Sequence, residues 1–235
     1  IADLVAARLW APTEGASQAL LREGVPSARV RVTGNTVVDA LQEAAALPYD
    51  WSRGPLAELA DAQRLVLVTA HRRESFGEPF REICLAIRDL ASRFAAAGGC
   101  FVYPVHLNPN VRAPVQEILA GQPGVRLLPP LDYHSLVHLL KRSELALTDS
   151  GGIQEEAPSL GVPVLVMRDK TERPEGVAAG CVRLVGPRRD EIVREAGRLL
   201  SDPAARAAMA NRASPYGDGQ AALRIVEDLL ASPRG

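Results

Sequence analysis

The residues best suited to binding an anion lie in one short segment, Leu147-Thr-Asp-Ser-Gly-Gly-Ile-Gln-Glu-Glu-Ala157. We expect an apolar strand to end at Asp149, a glycine-containing turn to follow, and a helix to begin near Ile153. The backbone N–H groups of a helix N-terminus and the hydroxyl of Ser150 are donors that suit a phosphate. Glu156, one turn further along the helix, could accept both hydroxyls of a ribose. The segment therefore predicts a phosphate-binding turn.

Three further polar segments follow predicted strands and could face the same ligand. They are Thr69-Ala-His-Arg-Arg-Glu-Ser-Phe-Gly77, Val102-Tyr-Pro-Val-His-Leu-Asn-Pro-Asn110 and Met167-Arg-Asp-Lys-Thr-Glu-Arg-Pro-Glu175. Open parallel sheets bind ligands at the carboxyl ends of their strands. The histidine and arginines after Thr69 could contact phosphate oxygens there, and the proline after Arg173 could hold that arginine toward an anion. Four polar segments at one edge favour a shared anion site.

Each segment also fits an ordinary structural role. Ser150 could be a helix N-cap whose neighbouring glutamates complement the helix dipole. The charges after Thr69 could pair with one another, Asn-Pro is a common turn signal, and residues 167–175 could form a solvated charged loop. His134 and His138 lie four residues apart on a helical pattern, but no third ligand accompanies them in the sequence, so we predict no metal site.

The elements that would position these segments alternate from about Arg64 onward between short apolar runs and longer helical patterns. Strands are predicted at residues 65–69, 100–104, 125–128, 145–148, 162–166 and 181–185. Helices are predicted between them at residues 79–97, 111–119 and 135–142. Because strands that alternate with helices form βαβ units, we expect an α/β domain with a Rossmann-like, doubly wound parallel sheet.

Both ends of the chain predict elements that need a partner. The first part contains a strand end at residues 10–13, a helix at 14–23 and a new strand at 29–33, while the last helix, at 220–230, is apolar on one face. One strand–helix unit cannot bury its own faces. We therefore expect both ends to be pieces of a second domain that this chain does not contain.

The composition is that of a globular protein and excludes several other classes. The chain has 235 residues, a net charge of −1 and 47% hydrophobic residues. Its arginines are scattered, so we expect neither a nucleic-acid nor a membrane-surface partner. Its apolar runs are far shorter than the roughly 20 residues that span a bilayer. Its three cysteines form no Cys-x-x-Cys pair. They indicate buried thiols in a reducing compartment, and we therefore expect a cytoplasmic protein.

Six segments taken together resemble the motifs of the non-hydrolysing UDP-N-acetylglucosamine 2-epimerases, bacterial enzymes of the glycosyltransferase-B fold. In chain order they are Val32-Thr-Gly-Asn-Thr-Val-Val-Asp39, Ala70-His-Arg-Arg-Glu-Ser75, Tyr103-Pro-Val-His-Leu-Asn-Pro109, Thr148-Asp-Ser-Gly-Gly-Ile-Gln-Glu-Glu-Ala-Pro-Ser-Leu-Gly161, Thr171-Glu-Arg-Pro-Glu175 and Pro215-Tyr-Gly-Asp-Gly219. Several motifs in one order are far more specific than a single glycine-rich turn. One departure is Ser75, where the family's pattern usually carries Asn.

The resemblance covers practically the whole chain and implies two Rossmann-like domains with the active site in the cleft between them. It implies that residues 1–31 are the last βα unit of an otherwise missing N-terminal domain. Residues 32–216 would be the C-terminal UDP-binding domain, and 217–235 a terminal helix that packs back toward the N-terminal domain. The resemblance also implies a homodimer and no cofactor or metal.

Site residues follow from the resemblance by matching motifs. Those expected around UDP are His71, Ser150, Gly151, Gly152, Glu156 and Arg173. Among them His71 is expected to be catalytic, and Glu156 to bind the ribose. Arg72 and His106 are similar to positions that reach a second, regulatory UDP-N-acetylglucosamine molecule.

The reaction implied by the resemblance is a reversible inversion at C2 of UDP-N-acetylglucosamine. UDP is eliminated to give a 2-acetamidoglucal, then added back with protonation on the other face, giving UDP-N-acetylmannosamine for bacterial cell-surface polysaccharides. The carboxylates that would move the C2 proton belong to the missing part, so we expect the isolated chain to be inactive. Three alternatives stay open: a UDP-sugar-dependent glycosyltransferase of the same fold, a hydrolysing relative, and a non-catalytic UDP-binding fragment.

Overall fold

The computed structural model describes residues 1–231, and over these residues the chain is an α/β protein. Its strands are β1 (Leu9–Ala11), β2 (Val30–Val32), β3 (Arg64–Thr69), β4 (Gly99–Pro104), β5 (Val125–Leu128), β6 (Ser143–Thr148), β7 (Val164–Val166) and β8 (Val182–Leu184). Its α-helices are α1 (Ala2–Val5), α2 (Glu14–Arg22), α3 (Thr36–Ala46), α4 (Glu78–Phe94), α5 (Pro109–Leu119), α6 (Tyr133–Arg142), α7 (Gly151–Ser159), α8 (Pro174–Ala179), α9 (Arg189–Ser201), α10 (Pro203–Ala210) and α11 (Ala221–Ala231). The last four residues of the predicted terminal segment 217–235 lie outside the described residues.

Six strands form one parallel sheet in the order β5-β4-β3-β6-β7-β8. From β3 the chain adds β4 and then β5 on one side. It then returns to the other side of β3 and adds β6, β7 and β8 in turn. This is the doubly wound arrangement, and its switch point lies between β3 and β6. The α/β, Rossmann-like prediction is confirmed. A separate parallel pair, β1 with β2, forms a second small sheet.

The central strand β3 shows why these residues form a two-sided core. Val66 and Val68 pack into one apolar cluster with helices α4, α5 and α9, while Leu65 and Leu67 pack into a second cluster with α6 and α7. All four side chains are buried. Successive side chains of a strand point to opposite faces, so a continuous apolar run is needed where helices cover both.

Two helices differ from the prediction. Helix α7 begins at Gly151 and not near Ile153, because Ser150 is already the extended residue before the first turn. Both glycines of the turn are therefore in the first helical turn. Helix α3 was not predicted; Asn35 caps its N-terminus and Val38, Leu41 and Ala45 form its buried face.

The last helix, α11, contacts both the small sheet and helix α3. The indole N–H of Trp10 and the guanidinium of Arg31 donate to the two carboxylate oxygens of Asp228 at 2.9 and 3.0 Å. At the other end of α11, Asp39 accepts from the backbone N–H groups of Ala221 and Ala222 at 3.2 and 2.9 Å. Among residues 1–231, no helix has the length and apolar character needed to cross a membrane.

Candidate functional site

The candidate site lies at the switch point, where the carboxyl ends of β3 and β6 meet. The hydroxyls of Thr69 and Thr148 share a hydrogen bond of 2.6 Å, and the N–H of Asp149 donates to the carbonyl of Thr69 at 3.0 Å. These contacts bring the loop after β3 and the turn after β6 together. Two segments that lie far apart in the sequence therefore form one surface.

Asp149 is the most deeply buried ionisable residue of this surface, with no exposed area. Its Oδ2 accepts from the backbone N–H groups of His71 and Arg72 at 2.7 and 2.8 Å. Its Oδ1 lies 3.6 Å from His71 Nδ1 and has no hydrogen-bond partner within the described part of the chain. Burial raises the pKa of Asp149, while the two N–H donors and the charge of His71 oppose that rise.

His71 has an imidazole that is partly open to solvent, with 37% of the side chain exposed. Its ring stacks on that of His106, with centroids 5.3 Å apart and an angle of 9° between the planes. Burial lowers the pKa of His71, Asp149 raises it, and the nearby charges of His106 and Arg72 lower it further. The net effect lowers the pKa of His71, which favours the neutral imidazole.

An open cavity of about 390 Å³ adjoins the stacked imidazoles. It is lined by His71, Arg72, Arg73, Glu74, His106 and Asn108. His106 is oriented by the backbone N–H of Asn108, which donates to its Nδ1 at 3.1 Å. The structure thus brings the two residues expected at a second sugar-nucleotide site, Arg72 and His106, to one cavity.

The N-terminus of α7 is flanked by two guanidinium groups. A Cβ placed on Gly151 would lie 3.6 Å from one terminal nitrogen of Arg72 and 3.8 Å from one of Arg173. Ser150 occupies the N-cap position, yet its side chain makes no capping hydrogen bond within residues 1–231. Of the two interpretations of Ser150, the geometry therefore favours a hydroxyl available to a ligand. Helix N–H groups and two arginines together suit a phosphate or diphosphate.

Glu156 is buried in the second turn of α7, with 8% of its area exposed. Burial raises the pKa of its carboxyl to about 7, and the neighbouring charge of Glu155 adds to the rise, whereas a hydrogen bond from Tyr133 opposes it. Glu155 points elsewhere: it pairs with the Arg173 guanidinium and accepts from the Asn35 amide at 3.0 Å. Glu156 is thus left as the carboxylate of α7 that can accept from a ligand hydroxyl.

Arg168 connects the loop after β3 with the loop after β7. The sequence did not predict this role. Only 5% of its side chain is exposed, and it donates to Glu74 at 2.5 Å and to both carboxylate oxygens of Glu172 at 2.9 Å. The solvated-loop interpretation of residues 167–175 is therefore wrong at this position. The sequence did contain a signal for this pairing. Arg168 directly follows the apolar run of β7, which indicates burial, and buried arginines are normally paired.

The sequence-predicted site residues follow four strands that are neighbours in the sheet. His106 follows β4, His71 and Arg72 follow β3, residues 150–156 follow β6, and Arg173 follows β7. The predicted ligand segments thus share one edge. No group of three or more His, Cys, Asp or Glu side chains within residues 1–231 is arranged to hold a metal ion.

Comparison with known proteins gives one consistent result. The family model described as UDP-N-acetylglucosamine 2-epimerase matches residues 1–230. A curated UDP-N-acetylglucosamine 2-epimerase of Escherichia coli is 51% identical over 226 residues, which are 94% of this chain and 60% of that protein. The chain spans about 60% of the length of the curated relatives that it matches.

Two solved structures show the same fold with a ligand. The UDP-GlcNAc 2-epimerase of Neisseria meningitidis bound to UDP-GlcNAc has a TM-score of 0.86 and 43% identity, over 98% of this chain and 63% of that one. The S. aureus MnaA–UDP co-structure has a TM-score of 0.89 and 40% identity, over 97% of this chain and 61% of that one.

Proposed function

The chain belongs to the UDP-N-acetylglucosamine 2-epimerase family, and from this membership we propose that it is the UDP-binding part of an enzyme that interconverts UDP-N-acetylglucosamine and UDP-N-acetylmannosamine. The observation that carries the proposal is the N-terminus of α7, where the guanidinium groups of Arg72 and Arg173 flank Gly151. A diphosphate is the group of a UDP-sugar that such a site recognises.

UDP would lie along the edge that the four loops share. Its diphosphate would accept hydrogen bonds from the N-terminal N–H groups of α7 at Gly151 and Gly152, from the Ser150 hydroxyl and from Arg173. Glu156 is buried one turn further along α7, where its carboxylate would accept from the ribose hydroxyls.

The chemistry begins with elimination of UDP. The C1–O bond breaks, the C2 proton is removed, and a 2-acetamidoglucal forms; UDP then adds back while C2 is protonated on the other face. The residues of this chain would stabilise the negative charge that grows on the departing diphosphate. His71 would be catalytic by holding a proton toward that group. The carboxylates that move the C2 proton would come from the remainder of the protein.

The same proposal includes how the protein is divided. Residues 1–31 would complete an N-terminal Rossmann-like domain, 32–216 would form the UDP-binding domain, and 217–235 would pack back on the first. The hydrogen bonds of Asp228 to Trp10 and Arg31 support this division, because they join α11 to the small sheet. We place the enzyme in the cytoplasm as a homodimer that supplies cell-surface polysaccharide synthesis, with Arg72 and His106 at a regulatory UDP-N-acetylglucosamine site.

Proton exchange at C2 tests the reaction. The full-length protein that contains this chain is incubated with UDP-N-acetylglucosamine in heavy water and followed by NMR. We expect deuterium at C2 together with UDP-N-acetylmannosamine. Free N-acetylmannosamine with UDP would instead indicate a hydrolysing enzyme, and transfer of the sugar to an acceptor would indicate a glycosyltransferase.

UDP titration of the chain itself tests the site. We expect binding that is lost in Glu156→Ala and retained in Glu43→Ala, an exposed glutamate on α3. If the chain binds UDP but the full-length protein does not exchange the C2 proton, the protein is a nucleotide-binding module without epimerase activity. Unchanged UDP binding in Glu156→Ala would refute the assignment of the ribose site.

A further inference from the structure

We propose that Asp149 is a positioning residue that fixes the tautomer and the ring orientation of His71, so that Nδ1 faces the protein and Nε2 faces the diphosphate. The inference rests on the proposed function, because it gives His71 the task of presenting a proton to the leaving group. It adds to that function a residue that touches neither the sugar nor the nucleotide.

The geometry separates the two oxygens of the Asp149 carboxylate. Oδ2 is saturated by the N–H groups of His71 and Arg72, which hold the loop after β3. Oδ1 is buried, lacks a hydrogen-bond partner in the described chain and lies 3.6 Å from His71 Nδ1. A small rotation of the imidazole would close this distance to a hydrogen bond, as happens in many sites when the ligand arrives.

A purely structural role for Asp149 leaves one feature unexplained. The amide oxygen of an asparagine could accept the same two backbone N–H groups without a buried charge. Burying a carboxylate with one oxygen unpaired is costly. The cost is offset if the charge serves the imidazole beside it, as a carboxylate behind a histidine commonly does.

The other surroundings of His71 leave its Nε2 edge for the ligand. Within residues 1–231, the charges that act on the ring are those of Asp149 after β6, His106 after β4, and Arg72 in its own loop. His106 covers one face of the ring by parallel stacking. With Nδ1–H directed at Asp149, neutral His71 has a lone pair on Nε2, and this nitrogen faces the cavity. Nε2 presents a proton to the diphosphate only in the imidazolium form, which the charge of Asp149 stabilises.

The wild-type chain allows a direct test by NMR with ¹⁵N-labelled histidine. We expect neutral His71 to carry its proton on Nδ1, and the imidazole pKa to fall in Asp149→Asn because a neighbouring negative charge is removed. Assignment of the resonance rests on His71→Gln. A neutral His71 protonated on Nε2 overturns the proposal, and the wild-type measurement decides this even if Asp149→Asn does not fold.

Activity of the full-length protein provides the second test. We expect Asp149→Asn to lower kcat at least about tenfold, because the imidazole can then adopt the wrong tautomer, with a much smaller change in KM. In the His71→Gln background the same substitution should have little further effect. If Asp149→Asn is fully active while His71→Gln is defective, the role of Asp149 is overturned and that of His71 is not. An active His71→Gln refutes the catalytic role proposed for His71, and the tautomer of wild-type His71 then decides whether Asp149 fixes it.

Discussion

Glu156 is kept at the cost of stability. Its folded-state pKa of about 7 lies above the ordinary value of 4.5 because the carboxyl is buried. The penalty on the ionised form is therefore absent below about pH 4.5, grows as the pH rises, and is complete above pH 7. A buried carboxylate that destabilises the fold at neutral pH is typical of a residue retained for binding.

Glu156→Gln should therefore stabilise the protein and weaken UDP binding. Raising the pKa from 4.5 to about 7 corresponds to roughly 3 kcal/mol, and recovering it would raise Tm by roughly 5–10 °C in a chain of this size. We expect this gain at pH 8 and almost none at pH 4.5, measured by thermal unfolding. Glu43→Gln on the exposed face of α3 is the matched control. An equal gain at both pH values would contradict the assigned cause.

Residue by residue, the sequence indicated the groups that belong to a local pattern and missed those whose role depends on contacts across the fold. Ser150 and Glu156 could be proposed as ligand groups because a glycine turn before a helix is a local pattern. Asp149 was expected only as a strand end, and its contact with His71 crosses 78 residues of sequence. Arg168 follows an apolar run, but its two glutamate partners lie on different loops.

At the level of elements, Arg168 holds together the loops that carry Arg72 and Arg173, the two arginines proposed to bind an anion. Glu74 belongs to the loop of Arg72, and Glu172 precedes Arg173. The pairing with Arg168 lowers the pKa of Glu172 to about 2, so this contact persists through mildly acidic pH. The loops after β3 and β7 are therefore held in place before any ligand binds.

Arg168→Met should loosen both loops without disturbing the sheet. The variant keeps most of the buried volume and removes the hydrogen bonds to Glu74 and Glu172. We expect UDP affinity to fall about tenfold, which is about 1.4 kcal/mol of binding free energy, measured by calorimetric titration. Arg188→Met, which removes an exposed pair with Asp169, should leave the affinity unchanged. If both variants bind UDP with equal affinity, the UDP site does not depend on the pairing of Arg168 with Glu74 and Glu172.

Strands were easier to predict than helix boundaries. A strand buried on both faces must be apolar throughout, so β3, β6 and β7 could be predicted from apolar runs in the sequence. The start of α7 was misplaced by two residues because glycine disfavours a helix, whereas here the glycines fill its first turn. The start of helix α3 could have been predicted from Asn35, whose side chain caps the helix N-terminus.

On the scale of the whole molecule, α11 has an apolar face that the described chain does not cover. Leu223, Val226, Leu229 and Leu230 are all at least half exposed. In the proposed division this face meets the N-terminal domain. The alternation of strands and helices predicted the doubly wound sheet correctly, whereas no local pattern indicates what packs on the two ends.

Hydrogen exchange should therefore differ between the chain and the full-length protein. We expect the backbone amides of α11 to exchange at least tenfold more slowly in the full-length protein, because its apolar face becomes buried. Helix α4, whose apolar face already packs against the sheet and α9, provides the internal reference. Equal protection of α11 in both proteins would argue against the proposed packing of residues 217–235.

The switch point also sets the order in which the site can form. His71 and Asp149 follow adjacent strands, but β4, β5 and the helices between them are synthesised in the interval. A nascent chain that has not reached Asp149 lacks both the buried carboxylate and helix α7. The proposed UDP site needs groups that follow both strands, so UDP bound there would stabilise only a chain in which β3 and β6 are already paired. Nucleotide binding would therefore favour the finished domain over a partly synthesised one.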